Sequence, residues 1–158
     1  MKNKIIELDN LIKIVSKEKE NGKTVVATSG CFDVLHAGHV QYLEAAKQLG
    51  DVFILFLNSD NSVKQLKGEY RPIVNETERA EVVAGLGCID YVCIFDEITP
   101  CNVIQKTKPD FWAKGADYES VDIPEKKVID LYGGNIKYIN FKEGCSSTNI
   151  IDRIRNLK

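Results

Sequence analysis

Residues 24–57 read TVVATSGCFDVLHAGHVQYLEAAKQLGDVFILFL, a complete strand–loop–helix–strand unit. Thr24–Ser29 (TVVATS) is rich in β-branched residues and fits a buried strand. From Gly38, the residues Tyr42, Ala45, Ala46 and Leu49 recur at i, i+3, i+4 and i+7, the spacing of one helix face, and Gly50 stops the helix. Val52–Leu57 (VFILFL) is apolar at every position. A strand with one wet face would alternate, so this one reads as a central parallel strand covered on both sides.

The same alternation extends outward. Upstream, the charged segment Lys13 to Glu20 predicts a helix ended by Asn21-Gly22, so residues 1–22 read as an N-terminal helical segment ahead of a domain at 23–158. Downstream, Asn75 with Glu78 three residues on forms an N-cap pair for a helix carrying Ala80, Val83 and Ala84. Tyr91–Phe95 is a strand, and Thr99-Pro100 supplies a cap and a first-turn proline for a helix to about Thr107. Phe111–Lys114 is a strand, Glu125–Tyr132 a helix closed by Gly133-Gly134, and Ile136–Asn140 a strand. Ser147 is placed to cap a last helix through Asn156. Strand and helix alternating at this pitch predict an α/β fold, a Rossmann-like doubly wound parallel sheet in a single domain. Such sheets bind ligands beyond the C-terminal ends of their strands, which marks the segments after Ser29, Asn58, Phe95, Lys114 and Asn140.

Composition narrows the classes. The 158 residues suit one domain, and 21 Lys plus Arg against 23 Asp plus Glu leave a net charge of −2. That balance argues against a general polyanion binder, so no nucleic-acid partner is expected, while a local pocket can still take a small phosphate. The longest apolar runs fall far short of the roughly 20 residues of a membrane span. Met1-Lys2-Asn3-Lys4 leads into Glu7, Asp9 and Asn10 without the apolar core of a signal peptide, so a cytoplasmic protein with no membrane partner is expected. The five cysteines (Cys31, Cys88, Cys93, Cys101, Cys145) include no C-x-x-C pair and read as small buried residues. Cys31, His36 and His39 lack a fourth ligand at a usual spacing, so no side-chain metal site is expected.

The loop after Ser29 carries the chemistry. Both histidines of the protein, His36 and His39, fall there with two residues between them, where strand hands over to helix. Gly30 and Gly38 allow close backbone approach to a ligand. The helix beginning near Gly38 aims free N–H groups and partial positive charge at whatever sits above it. Two imidazoles there can donate to phosphate oxygens, and those bonds strengthen as charge develops in a transition state. A functionless surface pair is the bland alternative, and the coincidence of three features weighs against it. The chain has no G-x-x-x-x-G-K-[ST] and no G-x-G-x-x-G, which excludes a P-loop enzyme and a dinucleotide fingerprint.

G-C-F-D-V-L-H-A-G-H at residues 30–39 resembles the H-x-G-H signature of the nucleotidyltransferase superfamily, which includes the cytidylyltransferases and class I aminoacyl-tRNA synthetases. The likeness continues through V-Q-Y-L-E-A-A-K-Q-L-G-D (40–51), N-S-D at Asn58–Asp60, L-K-G-x-x-R-P-I at Leu66–Ile73 and F-D-E-x-T-P at Phe95–Pro100. It ends with K-G-A-D-Y at Lys114–Tyr118 and E-G-C-S-S-T-N-I-I at Glu143–Ile151. Together, over nearly everything after Lys23, these resemble the adenylyltransferase part of the bifunctional ADP-heptose synthase family. Length and the lack of a K-M-S-K-S-like signature exclude a synthetase.

The resemblance implies that a sugar 1-phosphate attacks the α-phosphorus of ATP and releases pyrophosphate. It implies that His36 and His39 bind the triphosphate and stabilise pentavalent phosphorus, with Lys67, and beside it Lys64, as cations. Gly30, Cys31, Phe32 and Gly38 would line the nucleotide site, together with Lys114, Gly115 and Asp117. Ser146, Ser147 and Thr148 would cradle its phosphates, although Ser147 also reads simply as a helix cap. Asn58, Asp60, Asp33 and Arg79 are the substrate-side candidates. Asp33 either holds a sugar phosphate or orients the loop; Arg79 either matches a basic residue of related cytidylyltransferases or is an ordinary helix-surface charge. Mg²⁺ is expected on the triphosphate, held largely by phosphate and water. The expected partners are ATP (or CTP), a sugar phosphate, a separate sugar kinase that supplies it, and a second copy in a homodimer. Rival readings are a cytidylyltransferase acting on glycerol 3-phosphate or another small phosphate, and a catalytically silent nucleotide-binding module. The R-T-E-G-I-S-T of the glycerol-phosphate enzymes is replaced here by Phe141 to Ser147, without the arginine. Ala116, Ser147 and Trp112 also depart from the usual heptose pattern.

Overall fold

In the computed structural model, which describes residues 4–140 and 146–157, β2 (Val52–Asn58) is buried along its whole length. Its side chains split by parity, as strand geometry requires. Val52, Ile54 and Phe56 enter one apolar cluster, and Phe53, Leu55 and Leu57 enter the other. The continuous apolar run is thus the centre of a sheet with helices on both faces.

Five parallel strands form the sheet in the order β3-β2-β1-β4-β5, with β1 Val25–Gly30, β3 Tyr91–Phe95, β4 Phe111–Gly115 and β5 Asn135–Ile139. Val25 pairs with Val52 on one side of β1, and Val26 with Phe111 on the other. The chain winds outward from β1 to β3, then returns to β4 on the opposite side of β1. Because crossovers keep one hand, that reversal sends later helices to the other face. Leu43 and Ala46 of α2 (Ala37–Lys47) and Ala80 and Val83 of α4 (Glu76–Ala84) pack on one side. Leu11 and Val15 of α1 (Leu8–Glu20), Val103 and Ile104 of α5 (Cys101–Thr107) and Ile129 of α6 (Pro124–Tyr132) pack on the other, around fully buried Trp112. The order reverses between β1 and β4, which opens a crevice above their C-terminal ends.

The α/β, doubly wound reading holds, and several local expectations change. The first helix starts at Leu8 rather than Lys13, and it contributes two core residues. Pro100 is itself the N-cap residue of α5, and Thr99 provides no cap bond. The last helix, α7 (Ser147–Arg155), is capped by Ser146, whose Oγ accepts from Asn149 N at 3.0 Å, and not by Ser147. One helix is absent from the sequence reading: α3 (Asp60–Lys67), whose only buried residues are Ser62 and Val63. A single apolar contact leaves no periodicity to read. Its signal was the cap: Ser59 accepts from Ser62 N, an acid opens the helix and lysines close it. Residues Met1–Asn3, Lys158 and Phe141–Cys145, with the Glu143-Gly144-Cys145 start of the last motif, lie outside the described residues.

Leu11 is fully buried against the sheet, so Leu11→Ala is expected to cost about 2–5 kcal/mol of unfolding free energy in a urea titration. A change within about 0.5 kcal/mol, the size typical of surface sites, would mark α1 as an appendage to the core.

Candidate active site

A cleft of about 650 Å³ lies over the C-terminal ends of β1, β2 and β4, a volume suited to a nucleotide-sized ligand. Its floor is the β1–α2 loop. His36 sits at the N-cap of α2 in extended conformation, and its carbonyl accepts from His39 N and Val40 N at 3.0 and 3.2 Å. The first N–H groups of the helix, on Ala37 and Gly38, therefore have no intrahelical acceptor and face the cleft end.

The two imidazoles stack, with ring centroids 3.7 Å apart and planes at 21°. The Phe32 ring lies 5.0 Å from His39 and fixes its other side. Phe32 has φ 44°, an unusual conformation for an aromatic residue, and its ring packs on Gly30, where an added Cβ would stand 2.6 Å from Phe32 Cε2. Gly30 is thus required by the Phe32 ring and not only by a ligand. The Nδ1 atoms of both histidines are buried without a hydrogen-bond partner. Burial lowers the pKa of His36, and burial followed by the nearby His36 charge pushes His39 from 6.5 down to about 4. At neutral pH both rings are uncharged and ready to be drawn toward protonation by an arriving anion.

Two buried ionic groups shape the loop. The Asp33 carboxylate accepts from Ile73 N and Val74 N at 2.8 and 2.9 Å and from Arg71 Nε at 2.5 Å. Burial alone would raise its pKa, but those donors outweigh it and hold the carboxyl below its usual value. Of the two roles open to Asp33, loop orientation is the one its contacts display. Arg79 is buried rather than on the helix surface. It donates to the carbonyls of Cys31 at 2.6 Å, Asn58 at 2.9 Å and Val74 at 2.9 Å, and to Asp60 at 2.8 Å.

Most of the predicted site residues converge. Gly30, Cys31, Phe32, Asp33, His36, Gly38, His39, Asn58, Lys67, Lys114, Gly115, Asp117, Ser146, Ser147 and Thr148 all line the cleft. Lys64, Asp60 and Arg79 do not; Lys67 rather than Lys64 is the lysine of α3 that reaches it. Asn58 is held by its Nδ2 bond to Ser62 Oγ at 2.9 Å, and the Cys31 thiol lies 4.0 Å from its Oδ1. Against expectation Cys31, Cys88 and Cys101 are only half-buried, and among the described cysteines Cys93 alone is buried. Ser147 Oγ donates to the Val34 carbonyl at 3.0 Å, which draws the start of α7 onto the histidine loop. Lys114 Nζ pairs with buried Glu125 at 2.7 Å and lies 4.6 Å over the Tyr118 ring. Tyr42, Tyr118, Glu125 and Arg71 are lining residues the sequence reading did not assign. Arg71 was visible in the L-K-G-x-x-R-P-I motif, whereas nothing local distinguishes Glu125.

Residues 27–153 match the model of the cytidylyltransferase-like family. The chain belongs to that family. Similar proteins agree: the "Bifunctional protein HldE" of Geobacter metallireducens is 52% identical over 96% of this chain and 31% of its own length. The protein of the same name from Pelobacter propionicus is 49% identical over the same shares. The cytidylyltransferase-like chain thus spans about a third of the length of these relatives. Among solved structures, the lipopolysaccharide core biosynthesis protein of Thermoplasma volcanium is 27% identical, with a TM-score of 0.61 over 77% of this chain and 98% of that one. Among the described residues no helix is long and apolar enough to cross a membrane.

His39 binds a proton less readily folded than unfolded, so its contribution to stability is complete above about pH 6.5 and is lost as the pH falls toward 4. Its ring resonances are expected to titrate near pH 4 by NMR. Binding of a non-hydrolysable ATP analogue is expected to move that midpoint upward, since an anion favours the charged ring.

Proposed function

We propose that this chain transfers the AMP moiety of ATP to a sugar 1-phosphate, with D-glycero-β-D-manno-heptose 1-phosphate as acceptor, and releases pyrophosphate. The observation that carries the reading is the stacked His36–His39 pair beside the open N-terminus of α2, on the floor of a cleft of about 650 Å³. The motif resemblance to the ADP-heptose synthase adenylyltransferase part, the bifunctional relatives and the lipopolysaccharide neighbour support the acceptor class.

In the proposed reaction a phosphate oxygen of the sugar 1-phosphate forms a bond to the α-phosphorus while the bond from that phosphorus to the bridging oxygen of pyrophosphate breaks. The nucleophile is already an anion, so no general base is needed. The chain positions the two phosphates in line and neutralises charge as it shifts onto the leaving group. His36 and His39 would donate to triphosphate oxygens through their free ring N–H groups, with the first N–H groups of α2 beside them. Ser146–Thr148, drawn in through the Ser147–Val34 bond, would close over the same phosphates. Mg²⁺ would be carried by the nucleotide's own oxygens and water. That ion would supply charge neutralisation on the triphosphate. The acceptor is itself a phosphate ester, so this reading expects a sugar kinase to act upstream of the step.

Pyrophosphate release measured with ATP and with CTP, each offered heptose 1-phosphate and glycerol 3-phosphate, is expected to be fastest for ATP with the heptose. Turnover with CTP alone would move the assignment to a cytidylyltransferase, and silence with every pair would leave a binding module. His39→Ala is expected to fold and to lose kcat/KM by roughly 10²-fold or more.

A further inference from the structure

Among the described residues lining the cleft, three carry permanent positive charge: Lys67, Arg71 and Lys114. They differ in what they still have to offer. Lys114 is neutralised by Glu125, and Asp117 adds a further negative charge to that β4-side wall. The same wall presents the flat apolar surfaces of Tyr118, Ile123 and Pro124. The opposite wall, built by the crossover from β2 to β3, carries Lys67 and Arg71 against the single carboxylate of Asp33. The cleft is therefore polarised, apolar and acidic toward β4 and cationic toward β2.

Arg71 is the unusual member. Its side chain is only 13% exposed, and its Nε is fixed on Asp33. Asp33 is in turn fixed by the N–H groups of Ile73 and Val74, so the guanidinium plane is set from below. Its two terminal nitrogens make no hydrogen bond with any described residue. A half-buried arginine oriented by one edge, with the other edge on a cleft, presents a pre-organised fork of N–H donors. That fork suits a phosphate monoester, which it can meet with two parallel bonds.

We propose that Arg71 receives the phosphate of the acceptor through its terminal nitrogens, with Asp33 as its positioning residue, so that the β2–β3 wall is the acceptor half of the cleft. The inference rests on the two-substrate reading above and assigns the acceptor anion to a residue outside the H-x-G-H loop. The nucleotide then occupies the α2, β4 and α7 side, whose apolar surfaces suit a base. Lys67, at the end of α3, stands between the two anions.

The test compares the wild-type protein with Arg71→Gln, Arg71→Lys and the double variant Arg71→Gln/Asp33→Asn, which removes the carboxylate left unpaired by the single change. The affinity of α,β-methylene ATP reports on the fold and the nucleotide half. Calorimetric binding of inorganic phosphate to the analogue-loaded protein reports on the acceptor half without turnover. Steady-state rates with ATP and heptose 1-phosphate separate KM from kcat. Arg71→Gln and the double variant are expected to bind the analogue within about twofold of wild type. Both are expected to lose phosphate affinity, and to raise the acceptor KM, by about tenfold or more, with a smaller change in kcat. Arg71→Lys is expected to recover part of the loss, because it keeps the charge but not the fork. Weakened analogue binding in all variants, or unchanged phosphate affinity and acceptor KM, would overturn the proposal. Absence of wild-type turnover with any sugar phosphate would instead remove the proposed acceptor class, while phosphate binding would still decide the role of Arg71.

Discussion

Arg79 donates from its buried guanidinium to the carbonyls of Cys31, Asn58 and Val74 and to the carboxylate of Asp60. One side chain thereby ties the loop after β1, the end of β2, the start of α3 and the segment before α4. Each of those carbonyls lies at a strand end or in a loop, where no sheet partner satisfies it. An unmet buried acceptor costs about 1–3 kcal/mol, so the tie constrains several segments at once. Residues that face the cleft are neighbours of these tied points: Phe32 and Asp33 follow Cys31, and Arg71 lies three residues before Val74. Arg79 does not touch the cleft, yet the shape of the cleft floor depends on it.

The electrostatics of the site follow from this arrangement. The buried ionic groups Asp33 and Arg79 are answered by charged and backbone partners. Burial instead favours the neutral form of the two histidines, which stack on each other with the Phe32 ring tilted against His39. Under the proposed function the histidines at the α2 N-terminus would be close to neutral at rest and would gain charge as a phosphate binds. A chain with a net charge of −2 can bind a polyanionic nucleotide in this way because the donors are local and oriented.

The sheet was legible because β2 leaves no ambiguity: VFILFL is apolar on both parities, and only a covered central strand requires that. The histidine loop was legible because His36 and His39 are the protein's two histidines and fall at a strand–helix junction. What local sequence concealed were long-range pairings. Asp33 reads as a lone acid in a loop until Arg71, 38 residues away, is seen beside it. Arg79 reads either as the counterpart of a basic residue in related cytidylyltransferases or as a helix-surface charge, although its i+4 neighbour Val83 faces the core and placed Arg79 on the same side. Helix α3 escaped because it buries one apolar residue, so its order comes from its cap and from Ser62 and Asn58. Glu125, in α6, gave no local cue, since its role exists only through Lys114 on β4.

The proposed function requires a cleft that seats two phosphate-bearing substrates together, with the nucleotidyl group passing directly from one to the other. The stereochemical course at the α-phosphorus tests that account most directly. Adenosine 5′-(1-thiotriphosphate) of one defined configuration would be turned over with the sugar 1-phosphate, and the configuration of the thio-product assigned by ³¹P NMR. Direct in-line displacement predicts inversion. Retention would require two successive displacements through a covalent nucleotidyl–protein species and would contradict the account.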